Sequence, residues 1–229
     1  MLEVKDLQVS YGQSEVIGNL GFELGKNETL AIMGRNGMGK TTLMKALMGI
    51  LRGRKGSVKL DGKDLTPLES YQRVAEGLAF VPQGRMIFSA LTVQENIETG
   101  LETAEAKTVP EDIYALFPVL HEMRRRKGGN LSGGQQQQLA IARALASEPK
   151  VLILDEPTEG IQPSVIKDIA RVLNEIRKTR EISILVSEQV LSFTLAIADR
   201  LLVIDKGRFI HEDGRDQVDA EKIKQYLSV

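Results

Sequence analysis

The chain has 229 residues, of which 42% are hydrophobic and 27% charged, so it can fold as a globular protein around one substantial core. Its 30 lysines and arginines nearly balance its 31 aspartates and glutamates, and the net charge of -1 argues against a nucleic acid partner. Cysteine is absent, which excludes disulfides and thiolate metal sites. The first residues lack a basic segment followed by an apolar stretch, and no apolar run approaches the ~18 residues that span a bilayer, so we expect neither a secretory signal nor a membrane helix.

Alternating apolar and polar residues mark the N-terminal part of the chain. Residues 2–4 alternate in one register and residues 7–11 in another, which predicts a half-buried strand interrupted by a bulge or turn. The alternation recurs in residues 22–24 and 58–60, and the second of these is followed by Asp61-Gly62, a typical hairpin turn. We therefore expect short antiparallel strands in this region.

A strand, a glycine-rich loop and a helix are predicted in residues 29–49, because a compact apolar run is followed by glycines and then by apolar residues at helical spacing. Continuous apolar runs predict further buried strands at residues 151–154, 182–186 and 201–204. A helix is predicted from Pro163, and another near residue 190. This alternation of strands and helices is typical of a parallel α/β sheet.

Residues 86–148 show no strand pattern and predict helices and loops. We therefore expect one domain over residues 1–229. Its α/β core, with the antiparallel strands, would comprise residues 1–85 and 149–229, and a helical subdomain would be inserted at residues 86–148.

Residues 34–41, with the sequence Gly-Arg-Asn-Gly-Met-Gly-Lys-Thr, match the pattern G-x-x-x-x-G-K-[ST] between a predicted strand and a predicted helix. Glycines let backbone N–H groups turn inward around an anion, and the helix N-terminus adds its positive end. Lys40 would reach the β- and γ-phosphates of a nucleotide, and the Thr41 hydroxyl would bind Mg²⁺. The alternative, a chance glycine-rich turn, is disfavoured by the flanking elements. The predicted phosphate-binding residues are Gly34, Asn36, Gly37, Gly39, Lys40, Thr41 and Thr42.

Two carboxylates, Asp155 and Glu156, follow the predicted buried strand at residues 151–154. In parallel sheets ligands bind outside the carboxyl ends of strands. Asp155 would hold Mg²⁺, usually through water, and Glu156 would act as general base on the attacking water. An ordinary helix-capping pair is the alternative, and the nearby phosphate loop disfavours it.

Residues 131–135, Leu-Ser-Gly-Gly-Gln, match the signature of the ABC (ATP-binding cassette) ATPase family, which the chain resembles over nearly its whole length and in the expected motif order. The resemblance implies an α/β fold, with a P-loop NTPase (RecA-like) core, an N-terminal antiparallel β subdomain and an inserted helical subdomain. It also implies that the signature faces the γ-phosphate of ATP bound by a partner subunit. The alternative is a helix N-cap followed by glycines. The implied signature residues are Ser132, Gly133, Gly134 and Gln135.

The resemblance assigns roles to residues that would mean little alone. Tyr11 lies where the family stacks an aromatic ring on adenine, although a strand tyrosine is more often a packing residue. Gln83 matches the loop residue that contacts Mg²⁺ and leads to the helical subdomain. With Lys40 and Glu156, the third implied catalytic residue is Gln189, at the switch position that contacts the γ-phosphate.

The chain departs from the family pattern at two positions. Gln189 stands where a histidine is usual, ten residues before Asp199, and glutamine cannot carry a proton at neutral pH. Gln162 stands where an aspartate commonly ends the loop after the Asp-Glu pair. These changes imply slower hydrolysis by the chain alone, or pairing with a different ATPase subunit. The two histidines, His121 and His211, are expected at the surface.

Glutamine at the switch position is familiar in the ATPases of branched-chain amino acid importers, and within that group the chain is most similar to the urea-importer ATPase. The segments that carry this resemblance are residues 33–49, 81–97, 128–145 and 154–166, the last containing Glu-Gly-Ile-Gln-Pro. The implied function is ATP hydrolysis coupled to the import of urea. A branched-chain amino acid or a short amide is the alternative solute.

The resemblance also implies the setting of the protein. ATP and Mg²⁺ would be its cofactors. It would lie peripherally at the cytoplasmic face of the inner membrane, bound to transmembrane permease subunits and to a second ABC ATPase subunit, and indirectly served by a periplasmic solute-binding protein. The isolated chain could form a homodimer. A groove near the helical subdomain and Gln83 would receive a short helix of the permease.

Two other functions compete with transport. A soluble ABC regulator of DNA repair or translation usually carries two cassettes or a long coiled-coil insertion, and this chain has room for neither. A P-loop kinase or GTPase is disfavoured by the signature at residues 131–135.

Overall fold

The computed structural model describes residues 1–104 and 106–227, and it forms two sheets with helices around the larger one. Its strands are β1 (Leu2–Tyr11), β2 (Ser14–Leu24), β3 (Thr29–Met33), β4 (Lys55–Leu60), β5 (Lys63–Asp64), β6 (Leu78–Val81), β7 (Val151–Asp155), β8 (Ser183–Glu188), β9 (Arg200–Asp205) and β10 (Arg208–Gly214). Its α-helices are α1 (Lys40–Leu47), α2 (Ser70–Ala75), α3 (Val93–Glu98), α4 (Glu111–Leu116), α5 (Pro118–Glu122), α6 (Gly133–Leu145), α7 (Pro163–Arg180), α8 (Leu191–Ile197) and α9 (Ala220–Leu227).

The smaller sheet contains the N-terminal strands in the order β2-β1-β4-β5, and all its pairs are antiparallel. The two registers predicted in β1 are confirmed, because the pairing with β2 shifts between Val4 and Leu7. Asp6, inside this shift, has a φ of 49°. The irregularity turns the apolar residues on both sides of it toward the core, so that Val4 and Leu7 are each at most 3% exposed.

The larger sheet has the order β10-β9-β3-β8-β7-β6, with five parallel strands and the antiparallel edge strand β10. Strands β3, β7 and β8 are buried along their whole length, because helices cover both faces and the strands carry apolar residues without alternation. Their carboxyl ends lie side by side at one edge. The loops that follow Met33, Asp155 and Glu188 therefore meet there, which positions the site described below.

Between β6 and β7, residues 82–104 and 106–150 contain α3 to α6 and no strand, as predicted, apart from one isolated bridge between Thr92 and Lys127. Helix α6 is the centre of this region, and its Leu139 and Leu145 are fully buried against the same core as Ile97 of α3. The separation of the chain into an α/β core and an inserted helical subdomain stays a prediction.

The elements that were not predicted include α2, β6, β10 and α9. Strand β10 is rich in charged residues, and β6 has only four residues. His211 was expected at the surface, and it is partly buried there. Its side chain is 14% exposed, because it contacts the Asp213 carboxylate at 2.7 Å and the ring of Tyr226 at 5.5 Å between ring centres.

In the described part of the chain, no helix has both the length and the apolar character needed to cross a membrane.

Candidate nucleotide site

The phosphate loop joins β3 to α1, and two of its glycines are required by their surroundings. A Cβ atom at Gly34 would lie 2.6 Å from the carbonyl oxygen of Ile204. Gly39 has a φ of 106°, and a Cβ atom there would lie 2.9 Å from the side chain of Ile17. The loop therefore packs tightly against the sheet and against β2. Glycine-rich loops of this kind bind anions with their backbone N–H groups.

Lys40, the first residue of α1, is 3% exposed and lies at the centre of the site. Its ammonium donates to the carbonyl oxygens of Gly34 at 2.6 Å and Arg35 at 3.0 Å. It also forms an ion pair of 3.0 Å with Oε1 of Glu156. These three acceptors match the three N–H donors of the ammonium, so the cation is fixed beneath the loop.

Glu156 joins several of the predicted residues at the end of β7. Besides Lys40, its Oε1 accepts from Nε2 of Gln189 at 3.1 Å, and its Oε2 accepts from Nε2 of Gln83 at 3.5 Å. The Gln189 amide also donates to Oδ1 of Asn36 in the phosphate loop at 2.7 Å. The structure thus brings the candidate base, both glutamines and the phosphate loop into one hydrogen-bonded cluster.

The backbone at Glu156 is held in an unusual conformation, with a φ of 49°. Its N–H donates to the carbonyl oxygen of Ser187 at 3.0 Å and to the Ser187 hydroxyl at 3.2 Å. A left-handed conformation at a non-glycine residue is costly and persists where neighbouring contacts enforce it. This turn directs the carboxylate out of the strand toward Lys40.

Asp155 offers oxygen atoms that suit a divalent cation. Its Oδ1 accepts from the Ser187 hydroxyl at 2.6 Å, whereas its Oδ2 is buried without a hydrogen-bond partner. Burial raises the pKa of the Asp155 carboxyl, against the hydrogen bonds from Ser187 and Thr41, which lower it. A buried carboxylate oxygen without a partner, beside a threonine hydroxyl, fits Mg²⁺, which prefers such oxygen ligands.

These residues surround a cavity of about 190 Å³. Its walls are Asn36, Gly37 and residues 39–42 of the phosphate loop and α1, together with Gln83, Glu156 and Val16 of β2. Tyr11 does not line the cavity and is about half exposed at the end of β1, so its contact with adenine stays a prediction.

The signature residues form a separate feature at the start of α6. Ser132 is the N-cap, where its hydroxyl accepts from the N–H of Gln135 at 3.3 Å and the Gln135 side chain accepts from the N–H of Ser132 at 3.0 Å. Gly134 is packed against α7, because a Cβ atom there would lie 2.7 Å from Val165. None of these residues lines the cavity at Lys40, so their contact with nucleotide stays a prediction.

Glu188 was missed by the sequence reasoning. It is 2% exposed and directly precedes Gln189. Its Oε1 accepts from the N–H and hydroxyl of Thr158 at 3.0 and 2.5 Å, and its Oε2 accepts from the N–H groups of Gln189 and Val190 at 2.8 and 3.1 Å. One buried carboxylate thereby fixes the loop after Glu156 to the loop that carries Gln189. The available signal was a charged residue at the end of a buried strand.

Glu159 and Arg85 were missed as well, and they connect the Gln83 loop to the loop after β7. The Glu159 carboxylate accepts from the Gln83 amide at 3.0 Å, and its carbonyl oxygen accepts from Arg85 at 3.2 Å. The Arg85 guanidinium also lies against Gly133, within 3.2 Å of where a Cβ atom would be. No local pattern in the sequence indicates these contacts.

An apolar groove of about 610 Å³ lies beyond the Gln83 loop. Tyr71, Met86 and Phe88 line it and are 71%, 70% and 50% exposed. Arg143 of α6 lies at the same groove. Large exposed apolar side chains gathered in a groove mark an interaction surface.

The chain is similar to known proteins over most of its length. Residues 17–159 match the family model described as ABC transporter. The chain is 35% identical over 216 residues to the high-affinity branched-chain amino acid transport ATP-binding protein BraG of Pseudomonas aeruginosa, with 93% of this chain and 92% of that protein covered. It is 31% identical to the lipopolysaccharide export system ATP-binding protein LptB of Haemophilus influenzae, with 98% and 95% covered. Among solved structures, cbiO1 of Clostridium perfringens, part of the ABC transporter complex cbiONQ, is 29% identical, with a TM-score of 0.80 over 97% of this chain and 92% of that chain.

Proposed function

Because this chain belongs to the ABC transporter family and is an ATP-binding, ATP-hydrolysing cassette, we propose that it is the ATPase subunit of a solute importer. The observation that carries the ATPase part of the proposal is the cluster at Glu156, where the carboxylate meets Lys40, Gln83 and Gln189 beside the phosphate loop. Import rather than export rests on the similarity to BraG.

The cluster suits hydrolysis of the γ-phosphate of ATP. The loop N–H groups and Lys40 bind the phosphates, and the γ-phosphate competes with Glu156 for the Lys40 ammonium. Once the γ-phosphate has replaced Glu156 as the partner of Lys40, Oε1 of Glu156 is free to accept a proton from the attacking water. Gln189 keeps the carboxylate oriented. The water oxygen bonds to phosphorus as the bond to ADP breaks.

The residues that would hold Mg²⁺ are Thr41, Asp155 and Gln83, and the ion would neutralise charge on the phosphate oxygens. The partnerless Oδ2 of Asp155 supports this assignment. Among the described residues, no group of three or more His, Asp or Glu side chains could hold a metal, so phosphate oxygens and water would complete the coordination.

The groove and the signature face different partners. The exposed apolar side chains of Tyr71, Met86 and Phe88 suit a short helix of a transmembrane permease. Ser132 and Gly133 would contact ATP held by a second ABC ATPase subunit, in a heterodimer in the cell or a homodimer of the isolated chain. The protein would lie peripherally at the cytoplasmic face of the membrane, and a periplasmic binding protein would deliver the solute.

We propose urea as the solute, on the resemblance of residues 154–166 to the urea-importer ATPase. A branched-chain amino acid is the second candidate, and the 35% identity to BraG favours it. A non-transport regulator is the least supported alternative, since the named relatives are ATP-binding proteins of transport systems.

Two parts of the proposal, the importer function and the choice of urea as solute, are tested by the uptake of labelled urea and labelled leucine. The uptake is measured in cells that express either the intact chain or the Glu156→Gln variant. Loss of urea uptake alone in the variant supports urea. Loss of leucine uptake alone moves the solute to a branched-chain amino acid and keeps the importer. If neither uptake changes, the importer proposal fails for both solutes.

A further inference from the structure

Residues 84–86, which separate Gln83 from the groove, have a strained backbone. Gly84, Arg85 and Met86 have successive φ values of 77°, 68° and 43°, so two non-glycine residues in a row are left-handed. The N–H of Met86 donates back to the carbonyl oxygen of Gly84 at 2.7 Å, which closes a tight turn. Such a turn persists only where its surroundings hold it.

Arg143 of α6 holds this turn from the groove side. Its guanidinium donates to the carbonyl oxygen of Met86 at 2.9 Å and to that of Arg85 at 3.4 Å. It also lies over the ring of Phe88, 5.3 Å from the ring centre. Burial lowers the pKa of Arg143, as expected for a guanidinium withdrawn from water to bind these groups.

The other side of the turn is attached to the nucleotide site. Arg85 donates to the carbonyl oxygen of Glu159, and the Gln83 amide donates to the carboxylates of Glu159 and Glu156. Arg143 itself stands ten residues after Gly133 on α6, about 15 Å along the helix at 1.5 Å per residue. One arginine therefore contacts the strained turn, a groove residue and the helix that begins at the signature.

We propose that Arg143 is a positioning residue that couples the groove to the nucleotide site, by fastening residues 84–86 and Phe88 to helix α6 so that they move together. The inference rests on the proposed function, because it requires ATP at the site of Lys40. Coupling between two binding sites is reciprocal, so ATP must change the affinity of the groove for its occupant by the same factor by which that occupant changes the affinity for ATP. ATP binding alone should also change the surroundings of the groove residues.

A single introduced tryptophan reports this coupling, because the chain contains none. The parent protein is the full chain with Phe88→Trp, which keeps a ring under the guanidinium, and Glu156→Gln, which lets ATP stay bound. The emission of the introduced indole is titrated with ATP and Mg²⁺, and binding of labelled ATP is measured separately by equilibrium dialysis. In the parent we expect both titrations to give the same Kd.

Adding Arg143→Met keeps much of the aliphatic stem and removes the donors. We expect its ATP Kd to stay within about twofold of the parent, while most of the ATP-induced change in indole emission is lost, because the groove is no longer coupled to the nucleotide site. Arg143→Lys retains a cation and a donor and should recover part of the change. Arg125→Met, at an exposed arginine of the same region, is the matched control and should leave the change intact.

Two results would overturn the inference while the proposed function stands. One is ATP binding in the parent without any change in indole emission. The other is a full change in a folded Arg143→Met protein, or in Arg143→Lys if the methionine variant does not fold. Failure of the parent to bind labelled ATP would instead overturn the proposed function and the inference with it.

Discussion

The expected role of Glu156 in hydrolysis depends on its carboxylate and on the contact of that carboxylate with Lys40. Replacing it by glutamine removes the ion pair with Lys40 and the ability to accept a proton, but keeps the shape of the side chain. We expect ATP binding to persist and turnover to fall by about 100-fold or more, the usual contribution of a general base. Phosphate release and retention of labelled ATP measure the two effects.

Glu159→Gln is the matched control for Glu156→Gln, because Glu159 also accepts from Gln83 but has no contact with Lys40. It should lower turnover far less. Normal turnover in Glu156→Gln would remove Glu156 as the base.

Asp155 allows a stability prediction. Burial raises the pKa of this carboxyl, so its ionisation opposes folding, and its contribution to stability declines as pH rises through the folded-state pKa. Asp155→Asn removes the buried charge and keeps an oxygen for the Ser187 hydroxyl. At neutral pH we expect the free energy of unfolding of the nucleotide-free protein to rise by on the order of 1 kcal/mol.

The same substitution should abolish the extra stabilisation of the protein that ATP with Mg²⁺ gives over ATP alone. Chemical denaturation with and without ATP and Mg²⁺ measures both changes. A nucleotide-free Asp155→Asn protein that is less stable than the wild type would show that the Asp155 carboxylate is stabilised by contacts not recognised above.

The roles of single residues were predictable where a short sequence motif identifies them. They were not predictable where a contact joins residues that are distant in the sequence. Lys40 and Glu156 follow from short patterns beside predicted strands. Glu188 acts on Thr158, thirty residues earlier, and this contact exists only because β7 and β8 pair. A lone carboxylate in the sequence could not reveal that pairing.

At the scale of elements, the contact between α6 and α7 depends on Gly134. A methyl group there would lie 2.7 Å from one methyl of Val165 and 3.1 Å from the other. Val165 is a partly buried residue of α7 that packs against the core, so it has little room to move away. Gly134→Ala should therefore lower the free energy of unfolding by about 1–3 kcal/mol through overpacking, although alanine favours helix. Denaturant unfolding measures the change.

Two further variants separate this clash from other causes. Val165→Ala in the Gly134→Ala background should restore part of the lost stability, giving a coupling that a double-mutant cycle quantifies. Gly133→Ala meets only the end of the flexible Arg85 side chain and should cost little. Additive effects at positions 134 and 165 would contradict the packing explanation.

Element types followed from the sequence more readily than their arrangement. Continuous apolar runs predicted β3, β7 and β8 because each is covered on both faces. The order in which β3 lies between β8 and β9 is set by crossover helices and tertiary packing, which periodicity does not encode. Strand β10 was not predicted because it is a sheet-edge strand with many charged residues and lacks a clear apolar pattern.

At the scale of the whole molecule, the two predicted ATP-contacting surfaces lie apart. Ser132 and Gly133 do not line the cavity at Lys40. The proposed function therefore predicts that a second chain completes the site with its signature. A mixing experiment tests this arrangement. Lys40→Ala disables the phosphate loop, whereas Gly133→Asp places a negative charge at the signature, where it would repel phosphate.

Each variant alone should be inactive in phosphate release. When the two are mixed, a heterodimer combines the intact loop of the Gly133→Asp chain with the intact signature of the Lys40→Ala chain. With random pairing and independent sites, we expect roughly a quarter of the wild-type rate, because half of the dimers carry one complete site of two. The wild-type chain should itself gain activity per subunit with concentration, since association creates the site. A mixture that stays inactive while the wild type hydrolyses ATP would mean that each chain completes its own site.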